Sequence, residues 1–183
     1  MADELIDIVD ENNNLIGVQK MKSEAHRDGL WHRTAHLWLY NSKGEILLQL
    51  RAKNKKLYPA LWDVSAAGHI GAGEEPIVSA LREADEEIGI QLRKDQLDFF
   101  KTRKVMAVYR EIKNNEFCYV YLAKYDGGAK NLRLQKEEVE EIKFVSLVEL
   151  EANLREKSEH YVRHGKYWDD VIAEIKRRVL IKQ

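Results

Sequence analysis

One segment changes the hydrophobic period of this chain and narrows the folds open to it. Ile77, Ala80, Leu81, Ala84 and Ile88 recur at three- and four-residue spacing, the pattern of a single helix face. Pro76 suits a first helical turn, where its missing N–H would have no partner anyway, and Gly89 is a natural stop. The surrounding segments read as strands. ELIDIV (4–9) and LIGVQK (15–20) flank Glu11-Asn12-Asn13-Asn14, and TAHLWLY (34–40) and EILLQL (45–50) flank Asn41-Ser42-Lys43-Gly44. Both are hairpin signals. Two more strands are predicted near 103–111 and 116–124, with Lys113-Asn114-Asn115 as their turn. After Asp126-Gly127-Gly128, a short strand near 142–145 precedes helical patterns near 147–156 and 166–181. The expectation is a mixed α/β chain built on antiparallel hairpins, without repeats or a domain linker.

The length, 183 residues, corresponds to one domain, and 44% apolar residues supply an ordinary core. Thirty Lys+Arg nearly cancel 31 Asp+Glu, so no nucleic-acid polymer is expected as a partner. Lys176, Arg177, Arg178 and Lys182 fit the solvated end of a last helix, where bases complement the helix dipole. Cys118 is the single cysteine and cannot form an intramolecular disulfide. The N-terminal MADELIDIVDENNN has acids where a signal peptide needs bases, and no apolar run approaches the roughly 18 residues of a membrane span. These features predict a cytoplasmic protein with no membrane partner; a homodimer is compatible with them.

Chemistry concentrates between Gly68 and Ile90. Glu83, Glu86 and Glu87 stand at i, i+3 and i+4 and therefore share a helix face, opposite the apolar stripe. Like charges so spaced cost an isolated helix about 0.2–0.5 kcal/mol per pair. A hard divalent cation such as Mg²⁺ would relieve that repulsion, since it takes carboxylate oxygens together with substrate phosphates. A merely acidic, solvated face explains the same spacing, and spacing alone leaves both readings open.

Gly68, Glu74, Arg82-Glu83, Glu86-Glu87 and Gly89-Ile90 together resemble the Nudix box, G-x5-E-x7-R-E-U-x-E-E-x-G-U, where U is a bulky aliphatic. Ala84, at the first U position, is the one departure. The resemblance implies a Nudix fold of the α/β (α+β) class, a mixed β-sheet sandwiched between helices. The N-terminal hairpin and C-terminal helix would be additions within one domain spanning 1–183, with its box at 68–90. It further implies metal-assisted hydrolysis of a diphosphate linked to another moiety, with a nucleoside diphosphate derivative as the default small-molecule substrate. Glu83, Glu86, Glu87 and the Gly68 carbonyl would bind Mg²⁺, with Mn²⁺ as the alternative. Glu86, Glu87, Arg82 and Glu74 would form the catalytic set, Arg82 orienting Glu83 and Glu74 supporting the metal shell.

Across residues 4–150 the chain also resembles type 1 isopentenyl diphosphate isomerase, which shares the Nudix fold. The order Ala25-His26, His32-Arg33, Arg51, Lys55-Lys56, Pro59, Trp62, Ser65, Gly68-His69, Asn115-Glu116 and Cys118 carries this likeness. It implies a second metal site at His26, His32, His69 and Glu116, with Asn114 where another glutamate ligand is expected, and substrate phosphate at Arg51 and Lys55. Ala67 stands where the isomerase places its catalytic cysteine, so the hydrolase reading is preferred. An isomerase-like enzyme and a noncatalytic nucleotide-binding module are the alternatives.

Bland explanations accompany each supporting residue. His26, His32 and His69 can be hydrogen-bonded structural histidines, and His36, alternating with Leu37 and Leu39, is expected to pack. Arg51, Lys53, Lys55 and Lys56 fit a solvated loop as well as a phosphate clamp. Tyr58, Trp62 and Trp38 read as core rather than base-stacking platforms. The general base is left open among a box glutamate, Glu116, Glu137, Glu138, Glu140 and Glu141.

Overall fold

The structure, a computed structural model, describes residues 3–180. Lys182 and the last position of the expected 166–181 helix lie outside the described residues. The first hairpin forms as expected: β1 (Leu5–Val9) pairs antiparallel with β2 (Leu15–Met21) as a separate two-stranded sheet. A seven-residue helix, α1 (Lys22–Asp28), follows directly and closes on Gly29 at φ 69°. It was not expected, being too short to show a period.

The main sheet has seven strands: β3 (His32–Tyr40), β4 (Glu45–Arg51), β5 (Trp62–Asp63), β6 (Ala66–His69), β7 (Asp98–Tyr109), β8 (Ile112–Lys124) and β9 (Val139–Ser146). β3 and β8 run parallel in register from His32↔Glu116 to Tyr40↔Lys124. The expected 34–50 hairpin is present but forks at once. Tyr40↔Ile46 is its only registered pair; beyond it β3 turns to β6 while β4 pairs with β9 and β5. At the fork Ser65 replaces main-chain bonding, accepting from Leu39 N at 2.8 Å and donating to Leu47 O at 2.6 Å.

The β7–β8 turn is at Arg110-Glu111, where Arg110 takes φ 55°, and not at Lys113-Asn114-Asn115. Those polar residues belong to the strand for a local reason. Asn114 is buried opposite Ala107, and Asn115 donates its side-chain amide to Gly29 O at 2.8 Å.

Three longer helices cover the sheet: α2 (Pro76–Ile88), α3 (Leu147–Glu156) and α4 (Lys166–Leu180). Alternation along β3 sends Leu37 and Leu39 to one face, packed with Ala80, Ala84 and Ile88 of α2. Trp38 and Tyr40 go to the other, packed with Trp168, Val171, Ile172 and Ile175 of α4. The fold is thus a mixed sheet between helical layers. Ala84, fully buried, fills the box's departing position. At the end of α4, Arg177 and Arg178 pair with Glu174 and Lys176 pairs with Glu151, so these bases are already neutralised. Among the described residues no helix is long and apolar enough to cross a membrane.

Candidate active site

The acidic face of α2 is not solvated. Glu83 and Glu87 are buried, whereas the Glu86 side chain is 54% exposed. Sequence spacing gave the shared face and left its environment open; the packing of α2 against β6 buries two of the three carboxyls. Glu87 accepts from Ala67 N at 3.0 Å and from Gln49 Nε2 at 3.3 Å. Burial pushes the Glu83 carboxyl up to about 7 and the Glu87 carboxyl up to about 8, the Glu83 charge adding to the effect at Glu87.

Arg82 gathers the remaining acids. Its guanidinium donates to Glu83 at 2.8 Å, Glu86 at 3.3 Å, Glu74 at 3.1 Å and His69 O at 3.0 Å. Glu74 also accepts from Gly71 N and the Ser79 hydroxyl. Burial works to raise the Glu74 carboxyl, but these donors outweigh it and hold the group below its ordinary value. Gly68 leaves the Glu83 carboxyl group its place, since a β-carbon there would overlap it. Two buried carboxylates short of positive charge, beside a glycine that leaves room at them, fit a hard divalent cation.

On the α4 face, three imidazoles and a carboxylate converge. One ligand atom from each of His26, His32, His69 and Glu116 lies within 4.8 Å of all the others. α1 delivers His26, β3 His32, β6 His69 and β8 Glu116. His32 Nδ1 lies 2.9 Å from Leu30 O, which orients the ring and turns Nε2 into the cluster. That nitrogen is buried, has no hydrogen-bond partner among the described residues and lies 3.6 Å from Glu116 Oε1. His69 Nε2 faces His26 Nε2 at 3.2 Å. Burial pushes His26 down to about 4 and His69 well below its ordinary value, so both rings are neutral. At Glu116 burial works upward, yet the adjacent His32 leaves the carboxyl below its ordinary value. A buried, orphaned nitrogen among neutral imidazoles and a carboxylate is a donor set that suits a divalent transition metal. Asn114 Oδ1 is likewise buried without a partner.

The bases between 51 and 56 are less free than their sequence suggests. Lys55 pairs with Glu138, and Lys53 with Glu140 at 3.9 Å. Arg51 donates to Leu57 O and reaches Asp63 at 3.3 Å. Both Arg51 and Lys55 still act electrostatically on Glu87, and Lys55 also on His69. Of the acids considered for the general base, Glu138 is buried in its ion pair, while Glu137 and Glu141 are exposed.

A group of residues beside Arg51 escaped the sequence reading. Asp63 Oδ1 receives His164 Nε2 at 2.7 Å and Val64 N at 2.8 Å. His36 packs as expected, its Nδ1 3.2 Å from the Tyr167 hydroxyl, which also accepts from Trp38 Nε1 at 2.7 Å. Residues 63 and 164 meet only through the packing of α4, and no local pattern announces that. Tyr58 touches Tyr109, with ring centroids 4.8 Å apart, and so joins the 51–61 loop to the end of β7.

The NUDIX domain family matches residues 30–165, most of the chain. The chain belongs to the Nudix family. Nudix hydrolase 3 of Arabidopsis thaliana is 36% identical over 180 residues, covering 92% of this chain and 23% of that protein, so the chain spans under a quarter of that relative's length. Isopentenyl-diphosphate Delta-isomerase 1 of Aromatoleum aromaticum is 34% identical over 161 residues, covering 88% and 87%. The crystal structure of DR0079 from Deinococcus radiodurans superposes with a TM-score of 0.68 at 21% identity, covering 94% of this chain and 99% of that one, which shows the Nudix fold. By family and fold the chain is a Nudix protein.

Proposed function

We propose that this Nudix hydrolase cleaves a diphosphate linked to another moiety, by attack of water on phosphorus, in the cleft between α2 and the histidine cluster. Burial of Glu83 and Glu87 with too little positive charge is the observation that carries the reading. Glu83, Glu86, Glu87 and the Gly68 carbonyl would hold Mg²⁺ or Mn²⁺; His26, His32, His69 and Glu116 would hold a second ion. Bound metal polarises phosphoryl oxygens and acidifies water. Arg82 holds Glu83 and Glu74 in place, and Glu87 is fixed by Ala67 N–H and Gln49. Arg51 and Lys55 take the diphosphate, exchanging bonds with Asp63 and Glu138 for charge-assisted bonds to phosphate. A nucleoside diphosphate derivative is the default substrate class, in a cytoplasmic setting, with the whole chain acting as one domain.

The histidine cluster and the isomerase relative favour a second reading, double-bond migration in isopentenyl diphosphate. Ala67 opposes it, having no thiol, and Cys118 is no substitute: it is buried, and burial pushes its pKa up.

The test is phosphate release from a panel of nucleotide and isoprenoid diphosphates with Mg²⁺ and Mn²⁺. Glu87→Gln should lower turnover by at least about 100-fold with the fold retained, the upper range for loss of a metal-supporting group. Unchanged turnover refutes the assignment. Deuterium exchange into isopentenyl diphosphate without phosphate release would establish the isomerase instead.

A further inference from the structure

The face of the sheet that carries the histidine cluster continues past it into a region rich in hydrogen-bond donors. Register places His69, Thr34, Cys118 and Arg103 in one cross-strand row over β6, β3, β8 and β7. Arg103 is half-buried, and its guanidinium carbon lies 3.9 Å from the centre of the Tyr167 ring. That stacking occupies the face of the guanidinium and leaves the N–H edges free. Among the described residues, no carboxylate forms an ion pair with it. Asp63 is already engaged by His164, Val64 N–H and Arg51, and Glu116, two positions along β8 from Cys118, belongs to the histidine cluster.

His36 adds a second donor. The Tyr167 hydroxyl accepts from Trp38 Nε1 and lies 3.2 Å from His36 Nδ1, and we assign its own hydrogen to that nitrogen. Burial pushes the His36 pKa down to about 3, so the ring is neutral and its single hydrogen sits on Nε2. Tyr167 thus holds Arg103 on its ring and His36 on its hydroxyl, and both offer N–H groups with no acceptor among the described residues.

We propose that Arg103 and His36, held by Tyr167, form a subsite for an anionic group, a carboxylate or a phosphate, on the end of the substrate remote from the diphosphate. This deepens the reading of the cleft as a diphosphate site and rests on it. An anion that supplies acceptors replaces water at these N–H groups with charge-assisted hydrogen bonds. A guanidinium also accepts carboxylate and phosphate through paired N–H bonds. The same positive charge would raise the energy of a carbocation formed beside it, which disfavours protonating an alkene at this position.

Three diphosphates separate the possibilities: mevalonate 5-diphosphate ends in a carboxylate, 5-phosphoribosyl 1-diphosphate in a phosphate, and isopentenyl diphosphate in neither. Affinities are read by tryptophan fluorescence with Mg²⁺, within the mixing time, for wild type, Arg103→Gln and Arg103→Lys. At least one anionic compound should bind wild type about 10-fold or more tighter than isopentenyl diphosphate, and which one does so identifies the anion. Arg103→Gln should erase that preference and leave isopentenyl diphosphate within about twofold, and Arg103→Lys should restore part of it, by the loss and return of one charge-assisted contact. Equal wild-type affinity for all three, or a uniform loss in Arg103→Gln, overturns the subsite while leaving the hydrolase reading intact. Failure of all three to bind wild type overturns the diphosphate cleft and the subsite with it.

Discussion

A β-carbon on Gly68 would take the space of the Glu83 carboxyl group, and this makes the glycine a sensitive probe of the site. Gly68 has no left-handed backbone to protect, so alanine strains nothing except that contact. Gly68→Ala should therefore displace Glu83 while the sheet remains folded. Affinity for Mg²⁺ or Mn²⁺, measured by titration calorimetry, should fall by about 10- to 100-fold, as for loss of a ligand-supporting contact. Unchanged affinity would remove Glu83 from the ligand set. At this scale the α2 carboxylates could be read from the sequence because one helix carries all three at fixed spacing. The Asp63–His164 pair could not, since 101 positions separate partners whose proximity depends on where α4 docks.

The fork between β3 and β4 illustrates what limits reading elements from sequence. Both strands and their turn are legible in the hydrophobic alternation, yet nothing local says that the hairpin opens after one pair. The two- and four-residue strands β5 and β6, and the seven-residue α1, are too short to establish a period, although α1 supplies His26 and β6 supplies His69. Ser65 is the residue on which the fork depends. Ser65→Ala leaves the Leu39 N–H and the Leu47 carbonyl buried without that partner. The expected cost is about 1–3 kcal/mol for each group left unsatisfied. Urea unfolding followed by circular dichroism measures it, and an unchanged midpoint would show that main-chain pairing re-forms across the fork.

The paired helical layers give the whole molecule a pH response in the absence of metal. Glu83 and Glu87 have folded values raised to about 7 and about 8, above the ordinary glutamate value of the unfolded chain. The folded state therefore binds more protons than the unfolded one across this window, and stability falls as pH rises through both values. His26 and His69, lowered by burial, act in the opposite sense only below their ordinary value of 6.5, where the unfolded chain takes up protons first. Above about pH 7 they are neutral in both states and the glutamates decide the sign. In EDTA the melting temperature should drop between about pH 7 and pH 9, and Mg²⁺ should restore it by favouring the ionised carboxylates. A metal-independent, flat profile would show that Glu83 and Glu87 find their compensation within the protein.

The parallel pairing of β3 with β8 also orders events in time. His32 and Glu116, paired in that register, are separated by 116 − 32 = 84 positions, so this alignment closes a long loop and belongs late in folding. A newly made chain can form the β1–β2 hairpin, the β7–β8 hairpin and α2 from near neighbours, with Glu83 and Glu87 already on their helix. It does so before any histidine stands across from Glu116. An ion captured by the finished cluster would then lengthen the lifetime of the native state without hastening its arrival.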